Sequence, residues 1–230
     1  MAIAPDPSES FAREVNENLR RDRVRDTARA YGKWVIAGII LLLIAIGAFL
    51  AWRDYQAKQA AADSEALALA IDDIGNGNVG AVRSRLASLK DARGDAISVS
   101  AKLTDAAFAL QQNDRPKALA GYKAVAEDSG IAQPWRDLAT IRQTALEYDA
   151  LQPQAVIDRL APLAKPGNPW FGSAGEMTAL ALLRAGRKSE AGRLFAAIAG
   201  DKAVPDSIRS RAVQMAGSLG VDASASLPTP

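Results

Sequence analysis

Two stretches of the chain, AAFALQQNDRPKALAGYKAVAED (106–128) and ALALLRAGRKSEAGRLFAAIAGD (179–201), align without a gap at an offset of 73 residues. Ala106 meets Ala179, Leu110 meets Leu183, Ala118 meets Ala191, Tyr122 meets Phe195 and Val125 meets Ile198. Each stretch reads as a helix, a turn and a second helix. In the second helix a small residue is followed four positions on by a ring, which puts a close helix–helix approach and a packed aromatic on one face.

Half the offset finds two more copies. Ala155 in PQAVIDRLAPL lies 37 residues after Ala118 and 36 before Ala191, and Ala81 in GAVRSRLASL lies 37 before Ala118. Four alanines, each opening a short helix, predict four helical hairpins with turns at GNGN (75–78), NDR (113–115), LQP (151–153) and AGRK (185–188). First helices are expected near 55–74, 97–112, 135–150 and 173–185, and second helices near 79–90, 116–127, 153–164 and 188–199. Pro116 and Pro153 sit near helix starts, where a missing N–H does least harm. A last helix near 205–218 would cap the stack, and 221–230 is expected to be disordered. Helix pairs of this length resemble tetratricopeptide repeats, whose usual period is about 34 residues. The expected fold is therefore all-α, a solenoid of about four degenerate hairpins.

Composition agrees and removes several chemistries. Alanine supplies 48 of 230 residues, which favours closely packed helices. The chain has no cysteine and no histidine. Imidazole or thiolate metal sites, Ser-His-Asp and Cys-His nucleophile pairs and disulfides are thereby excluded. A net charge of +2 is too small to suggest nucleic-acid binding.

Ahead of the repeats, VIAGIILLLIAIGAFLA (35–51) carries no charge and is bracketed by Trp34 and Trp52. With the two indoles it matches the roughly 20 residues that cross a bilayer, and the indoles suit its interfaces. The run starts too late and is too long for a cleaved signal peptide. Arg20, Arg21, Arg23, Arg25, Arg29 and Lys33 precede it, whereas Arg53 and Lys58 follow. The positive-inside rule then predicts a cytoplasmic segment 1–33, a span 34–52 and an exported domain 53–220. Gly47 and Ala51 form a small-xxx-small pair in the span. No Pro or Gly interrupts Ala48 to Ile74, so the opening helix of the first hairpin is expected to continue the span. LRRDRVRD (19–26) reads as a solvated juxtamembrane helix, with anionic headgroups or a cytoplasmic partner as the alternative. Residues 1–8, with two prolines, are expected to be disordered.

Other motifs carry less. Gly75, Gly77 and Gly80 match a dinucleotide fingerprint, with Asp95 about twenty residues on. That fingerprint needs a strand leading in. The lead-in ADSEALALAIDDI has helical spacing, so the glycines are expected to form a turn. Asp72–Asp73 and Glu127–Asp128 adjoin helix ends and read as solvated acids rather than acid/base machinery. No cofactor, metal or small-molecule substrate is expected.

SFAREVNENLRRDRVRDTARAYGKWV (10–35), the single span, WRDLATIRQTALEYD (135–149) and FGSAGEMTALALLRAGRKSEAGRLFAAIAGDKAVPDSIRSRAVQM (171–215) together resemble the YfgM-type ancillary subunits of the SecYEG translocon in alphaproteobacteria. The likeness covers about 10–218. It implies a non-enzymatic inner-membrane protein with a periplasmic repeat domain, associated with SecYEG and with the membrane-anchored periplasmic chaperone PpiD. It carries over no catalytic residues. Candidate partner-binding residues on the first helices are Leu103, Phe108, Trp135, Leu138 and Tyr148. Two rival readings share the fold: an envelope or division scaffold acting away from the translocon, and a regulator acting through the cytoplasmic Arg-rich segment.

Overall fold

A computed structural model describes the backbone of residues 7–90, 92 and 95–226, and the side chains of 31–90, 92 and 96–226. Among these residues every regular element is helical. The order is α1 (Pro7–Gly75), α2 (Val79–Leu89), α3 (Asp95–Gln111), α4 (Arg115–Glu127), α5 (Gln133–Glu147), α6 (Pro153–Leu160), α7 (Phe171–Arg184), α8 (Lys188–Gly200) and α9 (Asp206–Ser218), followed by a 3-10 turn at Ser224–Ser226. The chain divides between Ala61 and Ala62 into two compact units.

In the first unit the apolar run is helical, and its large side chains, from Val35 and Ile36 to Phe49 and Leu50, are exposed. The stretch Tyr31–Gly75 of α1 is long and apolar enough to cross a membrane. Trp34 and Trp52 are exposed at the two ends of the run, and the Trp52 ring tilts against Phe49 with centroids 6.3 Å apart. A Cβ on Gly47 would meet nothing within 4 Å, and Ala51 is exposed. Lys33 is exposed; the side chains of Arg20, Arg21, Arg23, Arg25 and Arg29 lie outside the described residues, as do residues 1–6 entirely.

The second unit stacks four hairpins, formed by the end of α1 with α2, by α3 with α4, by α5 with α6 and by α7 with α8. Three of the four turns are built alike. Gly77, Asn113 and Gly186 take positive φ (74°, 60° and 77°). The next residue's N–H then reaches back five residues, from Asn78 to Asp73 O, Asp114 to Ala109 O and Arg187 to Leu182 O, at 2.9 Å each. This reverse bond past a left-handed residue closes a helix C-terminus and frees the chain to turn. The glycines of GNGN thus form a turn after a helix, with no strand leading in. Asp114 also caps α4 by accepting the Lys117 N–H, and Pro116 occupies the first turn. The third turn has no left-handed residue; Pro153 restarts the chain as α6.

The observed boundaries depart most from expectation at α6, which stops at Leu160 rather than 164. Pro162 has no N–H to continue the ladder. The four-alanine register is also corrected. Ala118 and Ala191 are fully buried, but Ala155 is exposed and Ala81 only half-buried. The buried stripes of α2 and α6 begin one residue later, at Val82 and Val156, and continue through Leu86 and Leu89 and through Leu160, with Leu163 buried in the turn beyond α6. One residue is about 100° of helix, enough to turn a side chain off the core. The second helices of hairpins two and four therefore bury an alanine and a ring, whereas those of one and three bury only aliphatics.

Residues 221–226 are not loose, contrary to the expected disorder of the tail. Ala223 is buried in the core formed by Phe171, Phe195, Ile198 and Ala212, with Val221 packed against it. Arg209 donates to Ser226 O at 3.0 Å and to Ala199 O at 3.1 Å. The expectation for 227–230 falls outside the described residues.

Candidate interaction surface

On the first-helix side of hairpins one to three, a groove of about 390 Å³ opens between the end of α1, α3 and α5. Leu103, Ala107, Phe108 and Leu110 of α3 line it, with Ile74 of α1 and Leu138 of α5. Residues 103, 107 and 110 fall on one stripe of α3 because four and three residues make about one turn. Leu110 is 39% exposed, close to Leu69 and Leu180 in the same unit. Thr104, Gln111, Tyr122 and Arg142 complete the lining.

Of the residues singled out from the sequence, Leu103, Phe108 and Leu138 line this groove, the first two buried and the third half-buried. Trp135 faces a different cavity of about 560 Å³, between α3 and the loop that enters α5. Tyr148 is occupied within the stack. Its hydroxyl reaches Met177 O at 3.4 Å, and the Arg184 guanidinium lies over its ring. Sequence reasoning passed over Ile74, Leu110, Tyr122 and Arg142. Leu110 was detectable as an apolar residue on the stripe of Leu103. Tyr122 reads as a core ring because its repeat partner Phe195 is one.

Ion pairs brace the helices around the groove. Asp105 accepts from Lys90 at 2.7 Å and Lys117 at 3.3 Å, joining the ends of α2 and α4 to α3. Burial pushes the Asp105 carboxyl up, but the two lysines outweigh it and hold the group below its usual range. Hydrogen bonds from Asn78 and Arg85 hold Asp73 low in the same way. Arg115 bonds Leu146 O, and Arg184 bonds Tyr148 O and Leu151 O at 2.7 and 3.2 Å. Two guanidinium groups thus serve the carbonyl end of α5, where the helix dipole favours positive charge. Burial raises the Tyr148 phenol against the opposing hydrogen bond and charge of Arg184. Among the described residues, no group of three or more Asp or Glu is gathered as a metal site.

An apolar trough with a few polar groups on its rim suits a partner's side chains. No curated protein and no solved structure matches the chain significantly. A family model described as a tetratricopeptide repeat-like domain matches residues 28–216. With hairpins stacked so that their first helices share one grooved face, the chain belongs to the tetratricopeptide repeat-like family.

Proposed function

We propose that the chain is a membrane-anchored, non-enzymatic interaction module whose groove meets protein partners on the periplasmic side of a bacterial inner membrane, beside the SecYEG translocon and a PpiD-like chaperone. The observation that carries this reading is the combination of an apolar groove on a tetratricopeptide repeat-like face with an exposed apolar helix segment at 35–51. A helix apolar all round is either buried in a large protein or crosses a membrane. The basic residues ahead of the segment favour a cytoplasmic N-terminus. The resemblance of 10–218 to YfgM-type subunits supports the translocon and chaperone as partners, with envelope-protein export or folding as the process assisted.

The test is in living cells. Photo-crosslinking residues at Leu110 and Arg142 are expected to capture a SecYEG subunit or a membrane-anchored prolyl isomerase, and one at exposed Ser88 to capture neither. Single cysteines at Ser10 and Ser88 report topology against a chain with no native thiol. Labelling of Ser88 from the cytoplasm, or groove crosslinks that omit both partners in a correctly inserted protein, would overturn the reading.

A further inference from the structure

The covered face of α5 is centred on a polar stripe. Arg136, Thr140, Thr144 and Glu147 follow one another at steps of about one helical turn, with Gln143 beside them. Thr144 is fully buried and Gln143 is buried; Arg136, Thr140 and Glu147 are half-buried, whereas Arg142 and Ala145 on the opposite side are exposed. Apolar clusters flank the stripe instead of crossing it. On one side Trp135, Leu138, Ala139 and Leu146 join the core of α3 and α4. On the other, Ile141 and Tyr148 join the core of α6 and α7.

Much of the stripe bonds within α5 itself. Thr140 donates to Arg136 O at 2.8 Å, Thr144 to Thr140 O at 2.7 Å and Gln143 to the Glu147 carboxylate at 3.2 Å. Back-bonding of this kind by threonine weakens a helix slightly and lets it bend. The two ends of α5 are held differently. Near the turn, Arg159 of α6 pairs with Glu147, the Tyr148 hydroxyl reaches Met177 O at 3.4 Å, and Arg184 donates to Tyr148 O and Leu151 O. At the far end, Arg136 bonds Gln133 of its own helix, and its Nε is, among the described residues, the one fully buried side-chain polar atom without a partner. A buried donor left unpaired is costly, so the closed arrangement is penalised at that end. On either side the packing is tight: a Cβ on Gly121 of α4 would stand 2.9 Å from the Ala106 Cβ of α3, and one on Gly175 of α7 would stand 3.0 Å from the Ile198 Cδ1 of α8. Neither α5 nor α6 contains a glycine.

We infer that hairpin three is a hinge: α5, carried with α3 and α4, swings away from α6–α9 about the fastened end, Glu147–Leu151, and opens the stack at the Arg136 end. Opening lets water reach the Arg136 Nε donor, and the polar groups that part are ones that water serves as well as protein does. Ahead of Glu147, Ile141 is the apolar side chain of α5 that leaves the α6–α7 core. The groove between α1, α3 and α5 stays whole because its helices move together, and the spacing of α5 from α7 is what changes. This holds whatever the groove binds.

The test uses the full chain in lipid nanodiscs, which has no native cysteine to compete with pairs of spin labels. Every labelled position is exposed. Labels at Glu127 and Ala197 span the hinge at the far ends of α4 and α8, and labels at Ala120 and Ser189 span it near the turns. Gln111 with Glu127 and Ser189 with Ser207 report on each body alone. Pulsed dipolar spectroscopy is expected to show a second, longer population, about a tenth of the molecules, for Glu127–Ala197 and a single population for the other three pairs. Arg136→Met removes the orphaned donor from the closed form and should cut the second population about tenfold. Thr144→Val keeps the side-chain shape and makes the seam apolar, and it should cut the same population severalfold even where Arg136→Met fails to fold. A single narrow population for Glu127–Ala197, or equal broadening of both spanning pairs, would overturn the hinge. So would a second population that the folded variants leave unchanged.

Discussion

The guanidinium carbon of Arg184 lies 5.1 Å from the centroid of the Tyr148 ring, and the same guanidinium bonds the Tyr148 and Leu151 carbonyls. One side chain at the end of α7 therefore holds both the ring and the backbone where α5 ends. Removing it forfeits a cation–π contact and two charged hydrogen bonds. Arg184→Ala is expected to cost about 1–2 kcal/mol, lowering Tm by roughly 2–6 °C. Arg184→Lys should recover only part, because an ammonium cannot serve the ring and two carbonyls in one plane. Thermal unfolding followed by circular dichroism measures both; a fully rescued lysine variant would show that charge alone matters.

A Cβ placed on Gly121 would stand 2.9 Å from the Ala106 Cβ, closer than two carbons approach. Here α3 and α4 meet backbone to backbone. Gly121→Ala should therefore destabilise by about 1–3 kcal/mol through overpacking, in spite of alanine's better helix propensity. Gly217 in α9 is the control, since a Cβ there meets nothing within 4 Å. Gly217→Ala should be neutral or stabilise by up to about 1 kcal/mol. Denaturant midpoints of the two variants are expected to move in opposite directions.

The hairpin count and most helix boundaries were legible because turns and periodicity are local. Gly77, Asn113 and Gly186 announce left-handed closures, and Pro116 and Pro153 announce starts. Register at one-residue resolution was not legible in α2 and α6, where small and branched apolar residues adjoin as Ala81–Val82 and Ala155–Val156. Which of two neighbours faces inward depends on helices distant in sequence. The groove was half legible for a related reason. Leu103, Phe108 and Leu138 were chosen as apolar first-helix residues, but Ile74, Tyr122 and Arg142 join them only when three other helices are brought against α3.

Asp105 makes acid stability testable. Its folded pKa lies below the ordinary 3.8, so the stabilisation it provides is fully present above pH 3.8 and is lost as pH falls through the lower folded value. Asp105→Asn should remove this component. Its deficit against the native protein should be constant from neutral pH down to 3.8, then shrink at lower pH. With both lysines about half exposed, the deficit on the plateau is expected to be only about 1 kcal/mol. Urea midpoints read every half pH unit test this, and a deficit that grows as pH falls contradicts the assignment.

The segment after α9 closes the open end of the stack. Gly192 leaves room for Val221, whose Cγ2 would lie 2.9 Å from any Cβ placed there, and Ala223 is buried beyond it. Val221→Ser removes apolar contact without blocking the chain's path and should cost about 1 kcal/mol. Gly192→Ala should push Val221 out instead. Both variants should admit protease after α9 sooner than the native protein, with α3–α6 still protected in hydrogen exchange. Cleavage that begins in α3–α6 would mean that the strap does not act locally.

The alternation of hairpins predicts opposite outcomes at two adjacent residues. Val156 is fully buried among Leu160, Leu163, Ala174 and Ala181, whereas Ala155 faces solvent. Val156→Ala leaves a cavity of two methyl groups in the third hairpin, a loss of about 2 kcal/mol. Ala155→Val adds the same two methyls on the open side and should cost only the few tenths of a kcal/mol by which valine is the poorer helix former. If the four alanines instead shared one register, the ranking would reverse, because valine at 155 would be driven into a neighbouring helix. At Ala118, where the small residue does lie at the contact, the same Ala→Val change should be among the most destabilising in the unit, about 2–3 kcal/mol. The comparison of valine at 118 with valine at 155, in one denaturation series, separates the two kinds of hairpin.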